Sequence, residues 1–178
     1  ALCFLRGLDL RGSVQGAGGV GGLLTVTIAT NGTHFAAFDG NGNVMALASA
    51  TDGTLTAQYE HDPFGKTLRA TGPVALANPI RFSTQLADDV TGDNRWLYRE
   101  ERPPLGRWLN RDPIEEEGGI NLYGFVSNDS QDLIDAFGLA DVTKTANGFI
   151  IQVGKCEIVS VIGHGNKKGY PKFLFPTK

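Results

Sequence analysis

Aspartate followed three residues later by glycine recurs along this chain, at Asp9–Gly12, Asp39–Gly42, Asp62–Gly65 and Asp89–Gly92. The spacing has a mechanical meaning. An aspartate carboxylate accepts hydrogen bonds from backbone amides just ahead of it and so caps a tight turn. Glycine takes the left-handed backbone angle that closes the turn. FDGNGN (38–43) and HDPFGK (61–66) repeat the element with a period of 23 residues, Asp39 matching Asp62 and Gly42 matching Gly65. Each unit predicts one hairpin, and neighbouring hairpins must stack to bury their faces. Glycine makes up 24 of the 178 residues, about twice the usual share. With 8 prolines besides, long helices are excluded as the basis of the fold.

The segments between the turns read as strands. LLTVTIAT (23–30), HFAAF (34–38), NVMALAS (43–49) and TLTAQYEH (54–61) are rich in β-branched, aromatic and other apolar residues. Asn31-Gly32, Gly40-Asn41-Gly42 and Asp52-Gly53 separate them as hairpin turns. The pattern is a β-meander, and a few such units leave open sheet edges, so the chain reads as part of a larger sheet. Further on, NPIRFSTQL (78–86) fits a strand or a short helical turn, and WLYR (96–99) a short strand that EERPP ends. INLYGFVSN (120–128) places Ile120, Tyr123 and Phe125 near helical spacing, which predicts a helix of one or two turns. After Leu139 the character changes. GFIIQVG (148–154) and EIVSVIG (157–163) predict an apolar hairpin, and residues 166–178 carry four lysines and no acid. This last piece is too short for a core of its own.

Several function classes fall away. The net charge of −3 argues against general nucleic-acid binding. No run of about 18 apolar residues is present, so no transmembrane helix is expected. The opening ALCFLRG reads as a strand and not as a signal peptide. Cys3 and Cys156 do not form a disulfide-dense framework. His34, His61 and His164 stand singly, as structural or solvated residues, and no metal or cofactor site is expected. His164-Gly165 after an apolar strand is similar to a strand end in caspase-like peptidases. That order needs a later cysteine, however, and Cys156 precedes it.

Taken together, GLDLRGSVQGAGGVGGLL, FDGNGNV, YEHDPFGKTLRATGP, NPIRFSTQ, GRWLNRDPI, GGINLYGFVSND and a closing D-x-x-G-L resemble the RHS repeat-associated core of RHS/YD-repeat polymorphic toxin proteins. The same core ends the C subunits of ABC toxin complexes. The blocks keep their order across about residues 7–139. The resemblance implies a mainly β fold: a meander of YD-type hairpins forming part of a shell and its core plug, with one short helix. It implies a core in 1–139 and a variable tail in 140–178, a truncated effector region. It further implies upstream RHS/YD repeats as partners, an effector held inside the shell, an immunity protein, and export or surface display within a larger protein. The family's core is an aspartic autoprotease that cuts behind the last D-x-x-G-L. By motif its residues fall on Asp112 of R-D-P-I, Asp135 of D-A-F-G-L, and Arg99, 13 residues before Asp112. The scissile bond falls at Leu139–Ala140.

Paired carboxylates suit this chemistry. Two close carboxylates cannot easily both ionise, so one holds a proton and the pair divides acid and base roles. An arginine beside them orients a carboxylate or stabilises developing charge. Spacing alone leaves the other reading open, in which Asp112 and Asp135 cap turns as Asp39 and Asp62 do. This chain also departs from the family pattern. Glu115 stands for glycine in D-P-I-G, Ala136 for proline, and Glu100 and Glu101 for aromatics. These departures make self-cleavage an expectation for a degraded copy. The competing expectations are a non-enzymatic shell remnant and a toxin module in 140–178.

Overall fold

The computed structural model describes residues 1–14, 16–139, 141–145, 148–153 and 156–160, the last three segments as backbone course. Ala140, His164 and the lysine-bearing end lie outside the described residues. Strands β1 (Leu2–Arg6), β2 (Leu23–Ile28), β3 (Gly32–Phe38), β4 (Val44–Ser49), β5 (Leu55–His61) and β6 (Thr67–Thr71) form one antiparallel sheet in chain order. This is the predicted meander, and the turn chemistry explains it. Asp39 Oδ1 accepts the amides of Asn41 and Asn43 at 2.8 and 2.9 Å, and Asp62 Oδ1 those of Phe64 and Lys66 at 2.9 Å each. Gly42 and Gly65 take φ of 75° and 83°. One face of the sheet packs Leu23, Val26, Val44, Leu47, Ala57 and Tyr59 against Val74 and Ile80. Leu24, Phe35, Leu55 and Leu68 stay exposed.

A second sheet follows, in the order β10-β9-β8-β7: β7 (Leu86–Ala87), β8 (Asn94–Arg95), β9 (Glu100–Arg102) and β10 (Arg107–Trp108). Here three expectations need correction. WLYR is not a strand but the turn between β8 and β9, closed by the Trp96 amide on the Arg99 carbonyl at 2.9 Å. The strand is Glu100–Arg102, which pairs with β8 and β10. The turn at 88–92 is capped by Asp88, whose Oδ1 accepts the amides of Val90 and Thr91; Asp89 instead pairs with Arg81 at 2.6 Å.

The predicted helix over 120–128 is likewise a short 3-10 turn, Val126–Asn128. Asn121 caps its own turn, and Val126, Ser127 and Asn128 all have positive φ, which no α-helix accepts. The apparent helical spacing is coincidental, since Phe125 is buried and Ile120 is 97% exposed. Residues 78–86 make a 3-10 turn at Phe82–Thr84 flanked by a bridge between Ile80 and Leu86.

A third antiparallel ladder runs β11 (Leu133–Asp135), β12 (Asp141–Thr145), β13 (Gly148–Val153) and β14 (Cys156–Ser160). The last two strands are the predicted apolar hairpin. Leu139 follows β11 and is the last described residue before β12. Among the described residues no helix is long and apolar enough to cross a membrane.

Candidate functional site

Arg99 leaves the β8–β9 turn and is 4% exposed. Its guanidinium lies over the Trp108 ring, 4.3 Å from the centroid. Trp108 belongs to an aromatic cluster with Phe82, Trp96, Phe125 and Val126. Trp96 meets Trp108 edge-on with centroids 5.1 Å apart, and Phe125 meets Trp108 at 5.0 Å. Such packing fixes the plane and position of the guanidinium, and the ring face adds a cation–π attraction.

Both predicted aspartates meet this arginine. One terminal nitrogen lies 2.8 Å from Asp112 Oδ2 and the other 3.3 Å from Asp135 Oδ2. All three side chains are at least 95% buried. The Arg99 Nε donates to the Gly138 carbonyl at 2.5 Å, so the same side chain also grips the backbone just before Leu139. Two more bonds hold that segment. The Trp96 indole donates to the Asp135 carbonyl at 2.7 Å, and the Tyr98 amide to the Phe137 carbonyl at 3.1 Å.

Each aspartate also keeps the turn role that the repeats suggest. Asp135 Oδ1 accepts the amides of Phe137, Gly138 and Leu139 at 3.1, 2.6 and 3.1 Å, while Gly138 takes φ 80°. Asp112 Oδ1 accepts the Ile114 amide at 3.0 Å. The same carboxyl thus caps a turn with one oxygen and meets Arg99 with the other. Capping the turn and meeting the arginine are not alternatives here.

A cleft of about 650 Å³ opens at these residues, lined by Arg99, Asp112, Gly118, Phe125, Ser127 and Leu139. The departures from the family pattern also acquire positions. Glu115 occupies the turn at φ 55°, the left-handed region that glycine takes in the sister turns. Its side chain points outward, 65% exposed, with Arg111 at 3.7 Å. Glu101 is fully buried, directly across the β9–β10 ladder from Trp108. Its Oε2 accepts from Asn94 Nδ2 at 3.0 Å, and its Oε1 has no protein partner. Burial pushes the Glu101 carboxyl up to about 8, with the charges of Asp62 and Asp93 adding to the effect.

The remaining candidates lie elsewhere. His34 is buried in the first sheet, its Nδ1 at 2.9 Å from Thr56 Oγ1. His61 stacks on Tyr59, and burial lowers its pKa. Cys3 is exposed and free. Trp96 and Trp108 escaped the reading from residues alone. Tryptophan in a short strand reads as core, and nothing local marks it as the bed of an arginine.

No family model matches the chain. It is similar to the double-stranded DNA deaminase toxin A of Burkholderia cenocepacia (strain H111), 42% identical over 62 residues, which are 35% of this chain and 4% of that protein. It is also similar to the probable deoxyribonuclease RhsA of Dickeya dadantii (strain 3937), 33% identical over 118 residues, or 65% of this chain and 8% of that protein. Among solved structures, the crystal structure of TcdB2-TccC3-Cdc42 superimposes with a TM-score of 0.57 at 29% identity, covering 60% of this chain and 5% of that chain. The chain therefore spans less than a tenth of each of these proteins.

Proposed function

Because the chain is an RHS-associated domain of the toxin type, homologous to RhsA and TccC3, we propose that it closes a β-shell and cuts its own backbone after Leu139, freeing the segment that starts at Ala140. In this reading residues 1–139 are the core, upstream repeats complete the shell, and the whole belongs to a larger exported protein. The observation that carries the chemistry is the convergence of Asp112 and Asp135 on one buried guanidinium.

Two ionised carboxylates on one arginine leave one negative charge in excess in a buried place. A proton held by the pair removes that excess. One carboxylate takes a proton from water as the water oxygen bonds to the Leu139 carbonyl carbon. The other gives its proton to the Ala140 nitrogen as the C–N bond breaks. The products are a carboxyl at Leu139 and an amine at Ala140. Arg99 holds both carboxylates and the Gly138 carbonyl, so the scissile peptide needs no separate binding step.

The test is an intact-mass time course of the full chain beside Asp112→Asn and Asp135→Asn. The parent is expected to yield a fragment ending at Leu139 and one beginning at Ala140, and both variants to stay whole. Asparagine variants that cut at the parent rate would overturn the reading.

A further inference from the structure

Gly118 does not need to be glycine for its backbone. Its φ of −81° and ψ of −11° are ordinary right-handed values that any residue adopts. The space beside its Cα, however, is taken. A Cβ there would lie 2.5 Å from Asp112 Oδ2, 3.0 Å from Asp112 Cγ and 3.0 Å from the Leu139 carbonyl oxygen. Two oxygens that close to one point are neighbours of each other. One is the carboxylate oxygen that faces Arg99. The other belongs to the carbonyl at which the chain would be cut.

We propose that Gly118 is a positioning residue of the self-cleavage site: its missing side chain is the gap through which Asp112 reaches the Leu139 carbonyl. The inference rests on the self-cleavage reading above and adds a residue to it. A methyl group at this place has little room to be absorbed. Asp112 is pinned by Arg99 on one oxygen and by the Ile114 amide on the other. The carbonyl is backbone, and the segment that carries it is held by three N–H groups donating to Asp135 and by the Arg99 grip on Gly138. The added methyl must therefore push the Asp112 carboxylate off the arginine or the Leu139 carbonyl out of line. Either movement separates the reacting groups.

Gly118→Ala is expected to slow first-order cleavage of the full chain by about 100-fold or more, the size of loss that a displacement near 1 Å produces. Gly119→Ala serves as control. It strains the same loop, because Gly119 has φ 137°, yet its Cβ would meet nothing within 4 Å. It is expected to cost stability and keep most of the cleavage. A second readout reaches what a merely structural role would not move. With the guanidinium nitrogens labelled with ¹⁵N in the Asp135→Asn chain, which stays whole, Gly118→Ala is expected to shift the Arg99 resonances and to speed their exchange with solvent, as the Asp112 carboxylate leaves the arginine. Cleavage by Gly118→Ala at the parent rate overturns the proposal, as do unmoved Arg99 resonances or an equal loss in Gly119→Ala. An Asp112→Asn chain that still cuts overturns the self-cleavage reading instead, and the Arg99 resonances then decide the hold of Gly118 on Asp112 by themselves.

Discussion

Glu115 is the residue whose local conformation most plainly conflicts with its identity. In the sister turns the equivalent position is Gly12, Gly42, Gly65 or Gly138, with φ between 69° and 83°; Glu115 is held at φ 55°. A side chain in this region crowds the following carbonyl, at a cost of roughly 1–2 kcal/mol. Glu115→Gly is therefore expected to raise the unfolding free energy by about 1 kcal/mol, part of the gain being offset by the freer unfolded chain. It is also expected to speed cleavage, because the turn it relaxes carries Asp112. Urea titration in the Asp135→Asn background and an intact-mass time course measure the two effects, and a variant that is both less stable and slower would refute the strain argument. The expected charge effect of Glu115 on Asp112 is small, since the side chain is exposed beside Arg111 and solvent screens it.

The aspartates show what could be read from residues and what could not. Turn capping by Asp9, Asp39 and Asp62 follows from spacing, and each Oδ1 does accept amides ahead of it. At 88–92 two adjacent aspartates compete, and spacing cannot say which one caps, because the loser was decided by Arg81 eight residues back. The link from Asp112 and Asp135 to Arg99 was legible through family resemblance alone. No local pattern tells an aspartate whose second oxygen meets a distant guanidinium from one whose second oxygen meets Asn43, as in Asp39.

Among the elements, the first sheet was readable because its alternation, its turns and its burial all agree. The second sheet was not. Its strands are two or three residues long and include Asn94-Arg95 and Glu100-Glu101-Arg102, residues of poor strand propensity. The aromatic WLYR, the better strand former, is the turn. Tertiary packing wins here: Trp96 turns into the aromatic cluster, and Arg99 must leave the ladder to reach the aspartates. The same packing buries Glu101 against Trp108 and predicts a pH dependence. The folded carboxyl titrates at about 8, against 4.5 for an unperturbed glutamate. Between these values the folded chain keeps a proton that the unfolded chain has released. The favourable contribution is thus complete below about 4.5 and is lost as pH rises towards 8, at about 1.4 kcal/mol per pH unit. Glu101→Gln should remove this slope and keep the Asn94 contact. Urea titrations at several pH values across that window, in a non-cleaving background, compare the two. Parallel stability curves for parent and variant would mean that Glu101 titrates normally.

At the scale of the molecule, the site is built where separate sheets meet. Arg99 comes from the second sheet, Asp135 ends the first strand of the third, and Asp112 comes from the stretch after β10. No single sheet can hold the three together, so the chemistry depends on docking of whole elements. The chain's 2 tryptophans, Trp96 and Trp108, both lie in the cluster under Arg99, so their fluorescence reports on the same docking. Two outcomes follow. Cleavage should be first order, with a rate independent of protein concentration over at least about 100-fold, because the scissile bond and the carboxylates share one chain. On adding urea, the cleavage rate should then fall along the tryptophan transition, while the amides of β1, exposed along its whole length, exchange well before it. A rate that rises with concentration would point to cutting between chains or by a contaminant. Cleavage lost at urea concentrations well below the fluorescence transition would mean that the aspartates part while the aromatic bed stays intact, and that Trp108 does not hold Arg99 in place.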